Sequence, residues 1–269
     1  MTMGAARIRA LLDEFELAPS RALGQNFVVD PNTVRRIASL AGVEAGDSVL
    51  EIGPGLGSLT LALAETGAHV TAVEVDRHLV PVLRSVVREI TPSVTVVHGD
   101  ALAIDLDDLL AGSPSWRLAA NLPYNVGTTI LIRLLEEAPT LTGGVVLVQR
   151  EVADRLAAQP GDGSYGIPSV KTAWWASATV VGKVPPTVFH PKPRVESALV
   201  ALERRDAPGD EPLRRQVFDL VDRAFGQRRK MLRKSLGGIV DPGRFEAAGV
   251  ASTSRPEELA LDDWVRLAR

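Results

Sequence analysis

Between residues 48 and 203 the chain alternates short apolar runs with longer stretches whose apolar residues recur every three to four positions. The runs Ser48–Gly53, His69–Val75, Val94–His98, Leu118–Asn121 and Gly144–Val148 show little polar alternation, which predicts parallel strands buried on both faces. Between them Ser58–Thr66, His78–Ile90 and Thr128–Glu137 carry helical spacing. This order predicts an α/β, Rossmann-like doubly wound sheet, which takes its ligands at the carboxyl ends of the strands. Two further runs, near Thr179–Val184 and Ser197–Leu202, have no helix between them and predict a terminal antiparallel hairpin. Upstream, residues 7–42 read as two helices around the polar turn Ser20–Asp30. From Arg204 to Pro212 the chain is polar and rich in breakers, as a linker would be, and beyond it only helical patterning continues. The expected organisation is a catalytic sheet domain over 1–204, with its helical lead-in, and a small helical domain over 208–269.

Composition narrows this picture in three ways. No run approaches the roughly 18 apolar residues that a membrane helix needs, and Asp13, Glu14 and Glu16 interrupt the one apolar stretch that could resemble a signal peptide. With no cysteine, disulfides, thiolate metal sites and cysteine nucleophiles are excluded, which fits a cytoplasmic protein. Nothing demands a metal ion, or more than a monomer. The net charge of −3 conceals an uneven distribution: residues 1–150 carry 17 acidic and 11 basic residues, whereas 204–234 carry 5 and 10. Arg223, Arg228, Arg229, Lys230, Arg233 and Lys234 follow one another with no acid between them. Such a cluster is either a solvated helix face or a grip on a polyanion.

Three features coincide at successive strand ends. The first strand runs into Gly53-Pro54-Gly55-Leu56-Gly57, whose glycines allow a backbone to approach a ligand closely. The spacing is G-x-G-x-G, not the G-x-G-x-x-G of dinucleotide folds. The second strand ends at Glu74, 17 residues beyond Gly57, where a carboxylate can accept both hydroxyls of an adenosine ribose. The third ends in Gly99-Asp100-Ala101, an acceptor placed for an adenine amine. Together they predict an adenosine-containing cofactor without separating S-adenosylmethionine from NAD.

The fourth strand, ending in Asn121-Leu122-Pro123-Tyr124, separates them. The N6 amine of adenine is a poor nucleophile because its lone pair is delocalised into the ring. Two acceptors aimed at its hydrogens favour the pyramidal form and stabilise the positive charge that grows during attack. Asn121 Oδ1 and a main-chain carbonyl such as that of Leu122 can supply both. Pro123 sets the chain direction, and the Tyr124 ring offers a stacking face for an unpaired or flipped base.

At these residues the sequence resembles the ribosomal RNA adenine N6,N6-dimethyltransferases, the KsgA/RsmA family, along nearly its whole length. Leu23-Gly24-Gln25-Asn26-Phe27-Val28-Val29-Asp30 is similar to the family's opening cofactor motif, with Val28 where leucine is more common. Val49 to Thr60 resembles its glycine loop, Asn121 to Val126 its catalytic loop, and Gln149 to Leu156 its next helix. Val184 to Ala198 resembles its late loop and strand, with Glu196 in place of the usual aspartate, and Phe225 to Lys234 its helical-domain signature.

The resemblance implies a class I S-adenosylmethionine-dependent methyltransferase fold, whose sheet ends in an antiparallel hairpin. It implies that Gln25, Asn26, Val28, Gly53, Gly55, Gly57, Glu74, Asp100, Ala101 and Asn121 form the cofactor site. It also implies a substrate of two adjacent adenosines in the 3′-terminal hairpin loop of 16S ribosomal RNA, within an assembling small subunit. Phe189, between prolines, is then either a second stacking partner for the base or a core aromatic, and the basic run becomes an RNA grip. Other readings are a large-subunit adenine methylase conferring macrolide resistance and an assembly checkpoint in which binding outweighs methylation. An NAD oxidoreductase has the glycine loop in its favour and no hydride-transfer constellation.

Overall fold

The computed structural model describes residues 2–88 and 93–269. The strands are β1 (Phe27–Val28), β2 (Ser48–Ile52), β3 (His69–Glu74), β4 (Val94–His98), β5 (Trp116–Asn121), β6 (Leu141–Gln149), β7 (Ala176–Val184), β8 (Phe189–His190) and β9 (Ser197–Arg204). The helices are α1 (Ala5–Glu14), α2 (Pro31–Leu40), α3 (Ser58–Ala64), α4 (Leu79–Arg88), α5 (Leu106–Leu110), α6 (Gly127–Glu137), α7 (Arg150–Ala157) and α8 (Ile167–Trp175), then α9 (Glu211–Phe225), α10 (Leu232–Ser235), α11 (Pro242–Ala247) and α12 (Leu261–Ala268). The helical pattern at His78–Ile90 appears as α4, and its last two residues lie outside the described ones.

Seven strands form one sheet in the order β4-β3-β2-β5-β6-β9-β7. The first five run parallel, and in chain order each of β2 to β6 is joined to the next by a crossover that carries a helix. β9 runs antiparallel to β6, with Asn121, Leu147 and Leu199 level across three adjacent strands. The two closely spaced late runs do sit side by side at this edge, as β9 and β7. Order reverses at β2, which has β3 on one side and β5 on the other, and so a crevice opens beyond the carboxyl ends of β2, β3, β4 and β5.

Apolar helix stripes pack in clusters against the sheet and against one another. Val34, Ile37 and Ala38 of α2 pack with Val49, Ala119, Val145 and Leu199 from the strands. Ile8, Leu11 and Leu12 of α1 join Leu61 of α3 and Val82, Leu83 and Val86 of α4. α2 starts where it does because the Asp30 carboxylate accepts from Thr33 N at 2.8 Å, with Pro31 in the first turn, where its missing N–H costs nothing. Between α1 and α2 the turn Ser20–Asp30 also contains β1, which pairs antiparallel with β8 (Phe27 opposite His190, Val28 opposite Phe189). Two residues are too few to leave a periodic trace in the sequence.

The chain divides into two compact units. One holds Met1–Ala153 and Thr179–Arg204, the other Asp154–Ala178 and Arg205–Arg269. The second therefore recruits a segment that the expected division at 204/208 leaves with the sheet. The reason is packing: Tyr165, Val170 and Trp174 are buried against Val217, Phe218, Val221 and Trp264. Trp174 meets Phe218 edge to face at 5.8 Å, and Tyr165 Oη donates to the Leu259 carbonyl at 2.8 Å. No helix among the described residues is long and apolar enough to cross a membrane.

Candidate active site

Two neighbouring lobes occupy the crevice at the strand ends. The first, about 500 Å³, is walled by Gln25, Asn26, Gly53, Gly55, Glu74, Asn121 and Tyr124. The second, about 620 Å³, lies against Gly99, Asp100, Ala101, Leu102, Val126 and Ile130. Leu23, Gly53, Val75 and Pro123 line both.

The glycine turn and the end of β3 are built as one piece. Glu74 is buried, with Oε2 accepting from Gly55 N and Oε1 from Asp76 N, each at 2.9 Å. Burial raises its pKa above the ordinary carboxylate value, and these backbone donors oppose the rise. A carboxylate offers about four lone-pair positions, so each oxygen keeps one for a ligand. At Gly55, φ is +58° and an added Cβ would lie 2.8 Å from the Phe27 ring; only glycine lets β1 close over the turn. Gly57 caps α3 at φ +93° and faces Leu83, and it lines neither lobe. Its place in the motif is explained by helix packing.

Asp100 heads a compact turn after β4. Its Oδ1 accepts from Leu102 N at 2.8 Å, and its carbonyl accepts from Ala103 N and Ile104 N. Asp100 is exposed along the second lobe, and Ala101 is buried beside it.

Asn121 closes β5. Its Nδ2 donates to the Asn26 carbonyl at 2.9 Å, which fixes the orientation of the amide, because the opposite orientation would set two acceptors face to face. Oδ1 is left buried with no hydrogen-bond partner among the described residues. A buried acceptor without a donor costs on the order of 1–3 kcal/mol, so it persists at a site where a ligand supplies the donor. Leu122 is buried and its N–H bonds Leu147 O. The Pro123 carbonyl is taken by Gly127 N at the start of α6, whereas the Leu122 carbonyl has no such partner among the described residues.

Tyr124 is half-buried, with its hydroxyl 2.6 Å from Ser197 Oγ on β9. Burial pushes its phenol above the ordinary value, so the ring is neutral at physiological pH and its part is steric. Ser197 is fully buried and is a site residue that the sequence did not single out. The same holds for Val75, an apolar residue 46% exposed beside both lobes, for Asn125, whose Nδ2 bonds Ala22 O, and for Gly24, where a Cβ would sit 2.8 Å from Asn125 Oδ1. Gln25 belongs to the same lip: Nε2 donates to Asp76 Oδ2 at 2.9 Å and Oε1 accepts from Ser20 N. The turn 20–27 is thus fastened to the ends of both β3 and β5.

Two sequence expectations change here. Phe189 is 4% exposed and packed in the core with Val34, Leu147 and Leu199, so it offers no face to a base. Its pairing with Val28 turns the ring inward. Val28 is equally buried, leaving only its main chain for a ligand. The basic residues Arg223, Arg228, Arg229, Lys230, Arg233 and Lys234 are all exposed in the helical unit, at the end of α9, in the following turn and on α10. Arg228 is partly engaged there, donating to the Gly163 carbonyl at 2.9 Å and facing Glu257 at 3.8 Å.

Comparison with known proteins agrees with this architecture. A protein from Leifsonia xyli subsp. xyli named ribosomal RNA small subunit methyltransferase A is 51% identical, covering 99% of this chain and 97% of its own. One of the same name from Mycobacterium avium is 48% identical, covering 98% and 86%. Among solved structures, a dimethyladenosine transferase from Plasmodium falciparum superposes with a TM-score of 0.72 at 21% identity over 88% of this chain and 94% of its own, a likeness of fold. The 23S rRNA methyltransferase ErmE superposes with a TM-score of 0.69 at 27% identity, covering 90% and 98%. The model of the family described as ribosomal RNA adenine dimethylase matches residues 19–269, which takes in the flap formed by the turn 20–27, the glycine turn, the Asn121–Tyr124 loop and the helical unit alike. This chain belongs to the ribosomal RNA adenine dimethylase family.

Proposed function

We propose that this protein transfers methyl groups from S-adenosylmethionine to N6 of two adjacent adenosines in the 3′-terminal hairpin loop of 16S ribosomal RNA, dimethylating each. It does so as a cytoplasmic monomer acting on the assembling small subunit. The observation that carries the reading is the unpaired, buried Asn121 Oδ1 at the end of β5, in a family whose close relatives bear the small-subunit name.

The residues present fit the cofactor. The two remaining lone-pair positions of Glu74 suit a pair of vicinal hydroxyls, and Asp100 suits an exocyclic amine in the second lobe. Val75, Leu102 and Ile130 give that lobe apolar walls for a planar ring. When bound, the cofactor supplies an activated methyl group on a sulfonium, so no general base of the protein is needed to drive departure of the leaving group. The protein's own task is positioning and charge stabilisation. Asn121 Oδ1 and the Leu122 carbonyl accept the two N6 hydrogens, holding the amine pyramidal and opposing the charge that develops on it. Tyr124, its ring held by Ser197, stacks on the base. The basic residues of the helical unit hold RNA phosphates.

The second reading, methylation of large-subunit RNA, is favoured by the likeness to the ErmE structure over 90% of the chain. The small-subunit relatives, nearly twice as identical, favour the first. Labelled methyl transfer to undermethylated small and large subunits, with the product nucleoside identified, decides between them. Label confined to small subunits as N6,N6-dimethyladenosine is expected. Label on large subunits alone would overturn the proposal.

A further inference from the structure

Arg133 lies two turns into α6, the helix that follows the catalytic loop. Only 17% of its side chain is exposed. Its guanidinium reaches back to the turn after β4: Nη1 donates to the Ala101 carbonyl at 2.7 Å and Nη2 to the Ile104 carbonyl at 2.8 Å. Nη2 also meets Glu137, one turn on, at 2.8 Å. That turn carries Asp100, Ala101 and Leu102, which line the second lobe, and Val126 and Ile130 at the start of α6 line it as well. One arginine therefore joins these two parts of the lining.

We infer that Arg133 is a positioning residue that sets the width of the adenine-binding lobe by clamping the 101–104 turn to the catalytic helix. This rests on reading the second lobe as the adenine site, and goes beyond it by assigning the geometry of that site to a side chain that need not touch the ligand. The physical argument is one of connectivity. The turn's own bonds (Leu102 N to Asp100 Oδ1, Ala103 N and Ile104 N to Asp100 O) make it compact without placing it relative to β5 and α6. The outward carbonyls of Ala101 and Ile104 provide its link to α6, and the planar fork of a guanidinium holds two acceptors at a fixed separation, which an ammonium does not. Their hydrogen bonds are charge-assisted and shielded, hence stronger than neutral ones. Glu137, 50% exposed, is there to orient the fork.

Three variants test this, read by calorimetry with S-adenosylhomocysteine and by hydrogen exchange of the Leu102–Ile104 amides in the ligand-free protein. Arg133→Met removes the donors, Arg133→Lys keeps the charge without the fork, and Glu137→Gln leaves both carbonyl bonds in place. Arg133→Lys and Arg133→Met should each raise the dissociation constant at least tenfold and speed exchange at these amides. Glu137→Gln should change the dissociation constant less than threefold. At saturating S-adenosylmethionine the single-turnover rate of Arg133→Lys should stay within threefold of wild type, while its KM for the cofactor rises in parallel with the dissociation constant. If Arg133→Met fails to fold, Arg133→Lys alone decides. Unchanged affinity and exchange in a folded Arg133→Lys protein would overturn the inference. Wild-type protein that does not bind S-adenosylhomocysteine would instead overturn the cofactor assignment itself.

Discussion

Replacing Asn121 by Ala removes two interactions of different kinds, and the structure separates their sizes. Nδ2 ties the flap through the Asn26 carbonyl at 2.9 Å. Such a bond is worth about 1 kcal/mol, or about fivefold in cofactor affinity if the flap helps to close the first lobe. Oδ1 has no hydrogen-bond partner among the described residues, and in the proposed mechanism it accepts from the substrate amine. A preorganised acceptor facing charge that grows in the transition state is worth about 3 kcal/mol, or roughly a hundredfold in rate. Asn121→Ala should thus lower the single-turnover rate of methyl transfer at saturating cofactor about a hundredfold, with S-adenosylhomocysteine affinity falling about fivefold. Asn121→Asp should not rescue the rate. It keeps an acceptor, but turns its second oxygen towards the Asn26 carbonyl with no hydrogen between them. Quenched single-turnover assays on undermethylated small subunits, run beside calorimetry, measure both quantities. A rate within tenfold of wild type would refute the role assigned to Oδ1. A loss confined to cofactor affinity would make Asn121 a flap tether only.

Glu74→Gln should weaken S-adenosylhomocysteine binding by about 2 kcal/mol, some thirtyfold by calorimetry, because a neutral amide cannot accept from Gly55 N and Asp76 N and from two hydroxyls at once; unchanged affinity would remove the ribose from this carboxylate. Glu51 lies fully buried behind the glycine turn, and burial, reinforced by the charge of Glu74 and opposed by Thr60, pushes its pKa up to about 8. Its folded-state pKa is raised, so its stabilising contribution is complete below pH 4.5 and is lost as pH rises towards 8, by about 5 kcal/mol in total. Glu51→Gln, which mimics the protonated acid, should therefore gain on wild type in melting temperature between pH 5 and pH 8, and parallel profiles for the two proteins would contradict the burial argument. Replacing Arg228, Arg229 and Lys230 together by Ala should weaken binding to small-subunit particles and flatten its salt dependence, with S-adenosylhomocysteine affinity unaffected; an unaltered salt slope would leave these residues as a solvated surface.

The sheet was legible because strands buried on both faces leave uninterrupted apolar runs, as β2, β3, β5 and β6 do; β4 lies at its expected run but, as the edge strand, buries none of its five residues fully. The end-of-strand groups Glu74, Asp100 and Asn121 were legible for a related reason, since parallel strands deliver their last residues to one edge. What escaped is held by contacts distant in sequence. Ser197 reaches Tyr124 from 73 positions away, Arg133 acts on main-chain oxygens about 30 positions back, and Gln25 answers to Asp76. Phe189 shows the limit most clearly. Flanking prolines announce a rigid loop, but which way its ring points depends on two residues of pairing with β1. The segment 154–178 was not singled out in the sequence, because its allegiance follows from partners such as Val217 and Trp264, far along the chain.

That allegiance constrains any attempt to borrow the basic surface for another purpose. Severing the chain at the polar linker, the cut its composition invites, would strand Tyr165, Val170 and Trp174 on one fragment and the walls of their socket on the other. Two large aromatics and a valine would then meet water, and both fragments would be expected to aggregate. A transplantable version would have to carry 154–178 joined by a new turn to 205–269. In hereditary terms, the helical unit and the methyl-transfer sheet travel together, since neither is contiguous in the gene that encodes them.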